Sequence, residues 1–246
     1  MVGSGGREHA LVRALAGTGW TVYAAPGNPG MTDDAEVHDI AMSDHSALVA
    51  LATDDAVDLV VIGPEAPLVA GLADDLRAVG TAVLGPSKAA AQLEGSKAFA
   101  KEVMLAAGVP TGRSETVTSV AEGMRAVADF GLPVAIKADG LAAGKGVVIA
   151  QSDGEARAAL VSMIDDAAFG AAGSTVVVEE GLTGPEVSLL AISDGTAVAR
   201  FPAAVTTSPS GRETPGPTPV AWDRCHLFPT SPITWPTSWW TRCTAR

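Results

Sequence analysis

Cysteine is nearly absent from this 246-residue chain, with only Cys225 and Cys243 present. Two late cysteines exclude a disulfide framework and a four-ligand metal site, and neither is assigned a function. Positive charge is scarce too: 16 lysines and arginines stand against 28 aspartates and glutamates, a net charge of −12. That balance argues against nonspecific nucleic-acid binding, which needs a cationic surface to displace counterions, so any phosphate site must be local. No apolar run approaches the roughly 18 residues of a membrane span, and the N-terminus lacks the cationic and apolar regions of a signal peptide. The expectation is a cytoplasmic protein with neither nucleic-acid nor membrane partners.

What is present is enough apolar sequence, 47%, for one large or two ordinary domains. Composition changes near Ala204. Residues 205–246 hold 4 of the basic and 2 of the acidic residues, four of the five tryptophans and seven of the sixteen prolines. They show no sustained periodicity and are expected to form an irregular tail.

Before that point strand-like and helix-like segments alternate, which favours an α/β architecture with a parallel, Rossmann-like sheet. Val57–Ile62 and Thr81–Leu84 read as buried strands, each closed by Gly-Pro and followed by an Ala/Leu-rich helical segment. From about Val109 the texture becomes α+β, with strands expected at 134–137, 146–150 and 175–179 and a helix over 152–164. The boundary is placed at 108/109, where glycine and proline interrupt a helix. The expected domains are 1–108, 109–204 and the tail 205–246.

Four clusters could carry chemistry. Gly5, Gly6 and Arg7 precede a helical Leu11–Ala16, so backbone N–H groups, the helix N-terminus and a guanidinium could meet an anion; a plain strand-to-helix turn is the alternative. It is not a dinucleotide fingerprint, because Glu8 stands where glycine is required. Pro64 and Glu65 follow a buried strand, where open α/β sheets bind ligands, although a proline-rich turn explains them equally. Asn28 shares that ambiguity. In the third cluster Lys137 ends a buried strand and leads through Gly140 and Gly144 to Lys145 and Gly146. A lysine there is costly unless it meets an anion, and the loop adds backbone donors; a hairpin with surface lysines is the alternative. It is not a P-loop, since Gly146 follows Lys145 where Ser or Thr belongs. Fourth, Glu179, Glu180, Leu182 and Glu186 lie at and beyond a strand end, where carboxylates can hold ribose hydroxyls or simply cap the strand. His9, His38 and His45 share no metal-ligand spacing.

In this order, Gly5–Leu11, Ala25–Asn28, Gly63–Leu68, Gln92–Phe99 and Ile136–Val147 resemble the phosphoribosylamine–glycine ligase family of the ATP-grasp superfamily, continuously to about Ala204. The resemblance implies an N-terminal Rossmann-like domain, an ATP-grasp module and ATP with Mg²⁺ or Mn²⁺. It also implies a monomer acting on glycine and 5-phosphoribosylamine through glycyl phosphate. By that resemblance Lys101 and Lys137 contact ATP phosphates, with Lys145 on the glycine-rich lid and Lys137 and Lys145 serving catalysis. Glu179–Leu182 and Glu186 hold adenosine, and Gly5, Gly6, Arg7, Asn28, Pro64 and Glu65 face the sugar phosphate.

The chain departs from the family twice. Only Met1 and Val2 precede Gly3 where a full strand is usual, so a late start is expected to unpair the neighbouring strand. Beyond Ala204 the family's glycine-rich substrate segment and its later Glu and Asn metal ligands are not recognisable. If Pro217–Trp222 is encoded by CCA ACA CCG GTG GCA TGG, reading one nucleotide earlier gives Pro-Asn-Thr-Gly-Gly-Met, the family segment; a frameshift between about Ala204 and Pro217 is therefore expected. Another ATP-grasp ligase, or a noncatalytic binding protein, is the competing reading.

Overall fold

The computed structural model describes residues 1–142, 146–166, 168–169, 173–182, 184, 187–206 and 225–227. The chain divides into two units, Met1–Ser96 and Lys97–Arg246. The division precedes the 108/109 boundary expected from glycine and proline. Its cause is the helix Lys97–Ala106, which is tied to the second unit: Lys97 N donates to Asp139 O at 3.3 Å and Ala98 N to Asp139 Oδ1 at 2.7 Å.

The first unit runs β1 (Val2–Gly3), α1 (Gly6–Ala16), β2 (Tyr23–Pro26), β3 (Glu36–Val37), α2 (His45–Asp54), β4 (Leu59–Val61), α3 (Glu65–Ala70), α4 (Leu72–Ala78), β5 (Ala82–Leu84) and α5 (Lys88–Gly95). Every strand pairing in it is parallel: β1 with β2, β2 with β3, and β4 with β5. A parallel bridge between Val2 and Ile62 joins the two groups, giving the order β3-β2-β1-β4-β5. Val12, Ala24 and Met31 form one apolar cluster, and Leu48, Val60, Ile62, Leu72 and Leu76 belong to a larger one. Both faces of a parallel sheet are covered in this way by its crossover helices. Asp44 and Ser87 set the starts of α2 and α5 by accepting from Ala47 N and Ala90 N.

The short first strand does not leave its neighbour unpaired, contrary to expectation. The Met1 ammonium donates to Tyr23 O at 2.7 Å, and Ala25 N donates to Met1 O at 2.9 Å. Beside it is a pocket of about 30 Å³ lined by Met1, Tyr23, Leu48, Leu51, Val57 and Leu76 among others, with room for at least one water.

The second unit opens with α6 (Lys97–Ala106) and continues through β6 (Ser114–Val117), α7 (Val120–Phe130), β7 (Val134–Ala138), β8 (Val147–Ala150), α8 (Asp153–Leu160) and β9 (Val176–Glu180). Its antiparallel sheet has the order β6-β9-β7-β8. Val134, Ile136, Val176 and Val178 alternate onto the face packed against Ala126, Val127 and Leu160 of α7 and α8, a period-two pattern. A π-helical turn, Val161–Asp165, continues α8. The expected helix over 152–164 is therefore present with a change of pitch. Shorter strands follow: β10 (Val187–Ser188), β11 (Ala191–Ser193), β12 (Val198–Arg200), β13 (Ala204–Thr206) and β14 (Cys225–Leu227). Most of the expected tail, 205–246, lies outside the described residues; within it Cys225–Leu227 pairs antiparallel with Ala204–Thr206. No described helix is long and apolar enough to cross a membrane.

Candidate functional site

In the first unit the order β3-β2-β1-β4-β5 reverses direction between β1 and β4, and open α/β sheets bind ligands at the carboxyl ends of such a pair. The turns that follow these two strands hold most of the residues anticipated there. Arg7, in the first turn of α1, donates through Nη2 to Gly63 O at 2.7 Å, lies 3.4 Å from Glu65 Oε1, and donates through Nε to Glu8 Oε1 at 2.9 Å. The Glu8 hydrogen bond, foremost, and the nearby carboxylates raise the Arg7 pKa above its already high ordinary value. Asn28 joins the same rim: its Nδ2 donates to Ser4 O at 2.9 Å, and its Oδ1 accepts from Gly30 N at 2.8 Å. Pro64 precedes α3 in extended conformation, and Gly6 begins α1 with open space beside its Cα.

Glu8, which breaks the dinucleotide fingerprint, has a structural task of its own. It is 4% exposed and accepts from Gly5 N at 2.8 Å, so it caps α1 from the third helical position. The signal was legible: an acidic residue three places after a helix-starting glycine.

In the second unit the face of the sheet away from α7 and α8 carries the chemistry. Register sets Glu179 opposite Ala135, which in turn faces Ile149; Lys137 stands between Val177 and Val147 in the adjacent row. Lys137 therefore sits diagonal to Glu179, within reach of long side chains. Its Nζ donates to Glu179 Oε2 at 2.5 Å, while Lys101 Nζ donates to Glu179 Oε1 at 2.6 Å. Burial pushes the Glu179 carboxyl up, but the hydrogen bonds and charges of Lys101 and Lys137 outweigh that and hold it below the usual carboxylate range. Val147 and Ile149 on β8 are 44% and 55% exposed, leaving an apolar strip beside the charged pair.

The neighbouring Glu180 is not part of this group. Strand alternation turns it to the other face, where Arg113 N and Nε donate to it at 2.9 and 2.7 Å and Arg113 stacks 5.1 Å over Phe130. Those bonds lower the Glu180 pKa, the backbone one foremost. Leu182 is exposed beyond the strand end. Gly181 separates the two because any side chain there would strike Pro133 O, which accepts from Gly181 N.

The glycine-rich loop is anchored at its entry. Lys97 Nζ donates to Ala138 O at 2.7 Å and to Gly140 O at 3.1 Å, and Gly146 O accepts from Ala138 N at the loop's return. Lys97 and Asp139, which ties down the start of α6, were missed; their partnership spans chain segments some forty residues apart and leaves no local pattern. Gly144, Lys145 and Glu186 lie outside the described residues.

The arrangement suits a nucleotide: an apolar strip for a base, an acceptor carboxylate, and an ammonium at the end of the strand that leads into the glycine-rich sequence. It does not fit a divalent metal. Both Glu179 oxygens are held by ammonium groups, and among the described residues no three His, Cys, Asp or Glu side chains gather to hold an ion.

Comparison with known proteins agrees with this division. Residues 1–94 match the family model described as phosphoribosylglycinamide synthetase, N domain, and residues 95–208 match its ATP-grasp (A) domain. The phosphoribosylamine–glycine ligase of Agrobacterium fabrum is 53% identical over 197 residues, covering 79% of this chain and 46% of the relative. The crystal structure of the Thermotoga maritima enzyme of that name superposes with a TM-score of 0.68 at 33% identity, covering 82% of this chain and 48% of that one. A biotin carboxylase from Campylobacter jejuni, at 17% identity and TM-score 0.66, shares the fold, covering 83% of this chain and 50% of its own. The chain spans about half the length of the curated relatives it matches.

Proposed function

The chain belongs to the phosphoribosylglycinamide synthetase family of ATP-grasp ligases, and from that premise we propose that it derives from an enzyme of purine biosynthesis that joins glycine to 5-phosphoribosylamine. The γ-phosphoryl group of ATP passes to an oxygen of the glycine carboxylate. The amine nitrogen of phosphoribosylamine then attacks the acyl carbon, loses a proton, and phosphate leaves. Glycinamide ribonucleotide, ADP and phosphate result. Phosphorylation turns a poor carboxylate electrophile into one with a good leaving group, so positioning and charge neutralisation do most of the work.

The observation that carries this reading is the Lys137–Glu179 pair on the sheet face away from α7 and α8, beside the apolar strip and at the strand end that leads into the glycine-rich sequence. In it Lys137 holds the nucleotide phosphates, with Lys145 on the loop, while Glu179, the backbone of Glu180–Leu182 and Glu186 hold adenosine; the Glu180 side chain stays with Arg113. At the other site Gly5, Gly6, Arg7, Asn28, Pro64 and Glu65 hold the sugar phosphate, with Arg7 and the α1 N-terminus neutralising its charge. Both Glu179 oxygens are engaged by lysines, so a metal that offsets charge at the transferring phosphoryl group would be held by other residues than this carboxylate. The intact ligase is proposed to act in the cytoplasm, and a noncatalytic sugar-phosphate- or nucleotide-binding protein is the alternative reading of the chain as written.

The proposal includes a shifted reading frame between about Ala204 and Pro217, with the intact ligase encoded by the corrected frame. The experiment is to sequence the gene through that stretch and to assay ADP release requiring both glycine and phosphoribosylamine, for the chain as written and for the frame-corrected one. Activity confined to the corrected chain is expected. Turnover by the chain as written, or third bases in codons 217–222 that do not yield the shifted hexapeptide, would overturn it.

A further inference from the structure

The family resemblance gives Lys101 and Lys137 the same role, yet their surroundings differ. Lys101, on α6, is 8% exposed, and its ammonium meets three acceptors: Thr111 Oγ1 at 2.6 Å, Gly112 O at 3.1 Å and Glu179 Oε1 at 2.6 Å. A lysine has three N–H donors, so all are in use. Reaching a phosphate would require withdrawing the ammonium from a buried setting and stripping Glu179 and a carbonyl of their donor. The Lys137 side chain is more open, 27% exposed against 10% for Lys101, and among the described residues it uses one donor, on Glu179 Oε2.

Glu179 is confined from a further side. A Cβ at Gly112 would lie 3.0 Å from Glu179 Oε1, so the segment entering β6 forms a wall against the carboxylate. Lys101, Thr111 and Gly112 together make a fixed socket for one oxygen, and Lys137 borders the other.

We propose that Lys101 is a positioning residue that acts through Glu179, fixing that carboxylate at the nucleoside end of the nucleotide site, and that it makes no contact with phosphate. The inference rests on the nucleotide reading of this sheet face. It separates the two lysines: Lys137 is the charge a phosphate meets, and Lys101 is the buried counter-charge that keeps an acceptor ready for a nucleoside hydroxyl or amino group. Losing Lys101 leaves Glu179 free to rotate toward Lys137, lowering nucleoside affinity.

The test is calorimetric titration of the full chain with three probes: adenosine, ADP and tripolyphosphate. Lys101→Met is expected to weaken adenosine and ADP by the same factor, on the order of tenfold for a lost charge-assisted hydrogen bond, while tripolyphosphate binds as to the parent. In a Glu179→Gln background the same substitution should have no further effect. That double variant removes both buried charges together and so guards against a single variant that fails to fold. A loss confined to ADP and tripolyphosphate, with adenosine unchanged, would overturn the proposal. A parent chain that binds neither adenosine nor ADP would instead overturn the nucleotide reading. Carbon-13 titration of Glu179 decides the local claim in either case: its midpoint should rise in Lys101→Met, and an unchanged midpoint would refute control of Glu179 by Lys101.

Discussion

The side chain of Glu8 occupies the space that a Cβ at Gly63 would fill, and it closes on Gly3 in the same way. Two turns far apart in sequence share one obstacle to a side chain, a buried Glu8 packed between the ends of β1 and β4, and Gly3 is held to glycine by its φ of +132° as well. Gly63→Ala is therefore expected to destabilise the first unit by about 1–3 kcal/mol, the usual cost of overpacking. In a Glu8→Ala background the cost should largely vanish. Urea unfolding of the four variants checks this, and equal penalties in both backgrounds would show that Glu8 is not the obstacle.

Arg7 spans Gly63 O, Glu8 and Glu65 with a planar fork that an ammonium cannot reproduce. Arg7→Lys should therefore weaken binding of ribose 5-phosphate nearly as much as Arg7→Ala, on the order of tenfold. Calorimetric titration distinguishes this from a simple charge effect, for which lysine would retain most of the affinity.

The carboxyl of Glu179 is held below the unfolded carboxylate range by its two lysines. A group whose folded pKa is depressed contributes stability above its unfolded pKa of about 4.3 and loses it as pH falls through the folded value. Stability of the parent chain should consequently fall through that acid window more steeply than that of Glu179→Gln. Denaturant midpoints measured from pH 6 downward give the comparison; parallel pH profiles would mean that Glu179 titrates alike in both states.

Lys97 holds the carbonyls of Ala138 and Gly140 where the glycine-rich loop begins. Replacing it with Met should loosen the loop entry without unfolding the sheet, because Ile136 and Val178 remain packed in the core. Hydrogen exchange at 139–142 should quicken by about tenfold while that of β9 holds. Uniform acceleration across the second unit would identify Lys97 as part of the fold's general stability instead.

Much of the architecture was legible locally. Val134–Lys137 and 175–179 announced themselves as buried strands, and the structure bounds them at Val134–Ala138 and Val176–Glu180. Short or partly polar elements were silent. Glu36–Val37 and Ser114–Val117 are strands because their partners, β2 and β9, offer backbone groups to bond, and nothing in their own residues demands it. The helix Val120–Phe130 was likewise passed over, although Ser119 caps it and Gly123 lies under Leu160.

By itself, the sequence determined the two-module α/β plan, the glycine turns and the concentration of chemistry at strand ends, because apolar periodicity and glycine placement are local properties of the chain. Only the tertiary structure decided how adjacent or look-alike residues divide their roles. Glu179 joins two lysines while Glu180 turns to Arg113; Lys101 is enclosed while Lys137 stays open; and Glu8 fills a space left by Gly63. Those outcomes depend on strand register and on which distant segment supplies a partner, and neither is encoded in the spacing of residues along one segment.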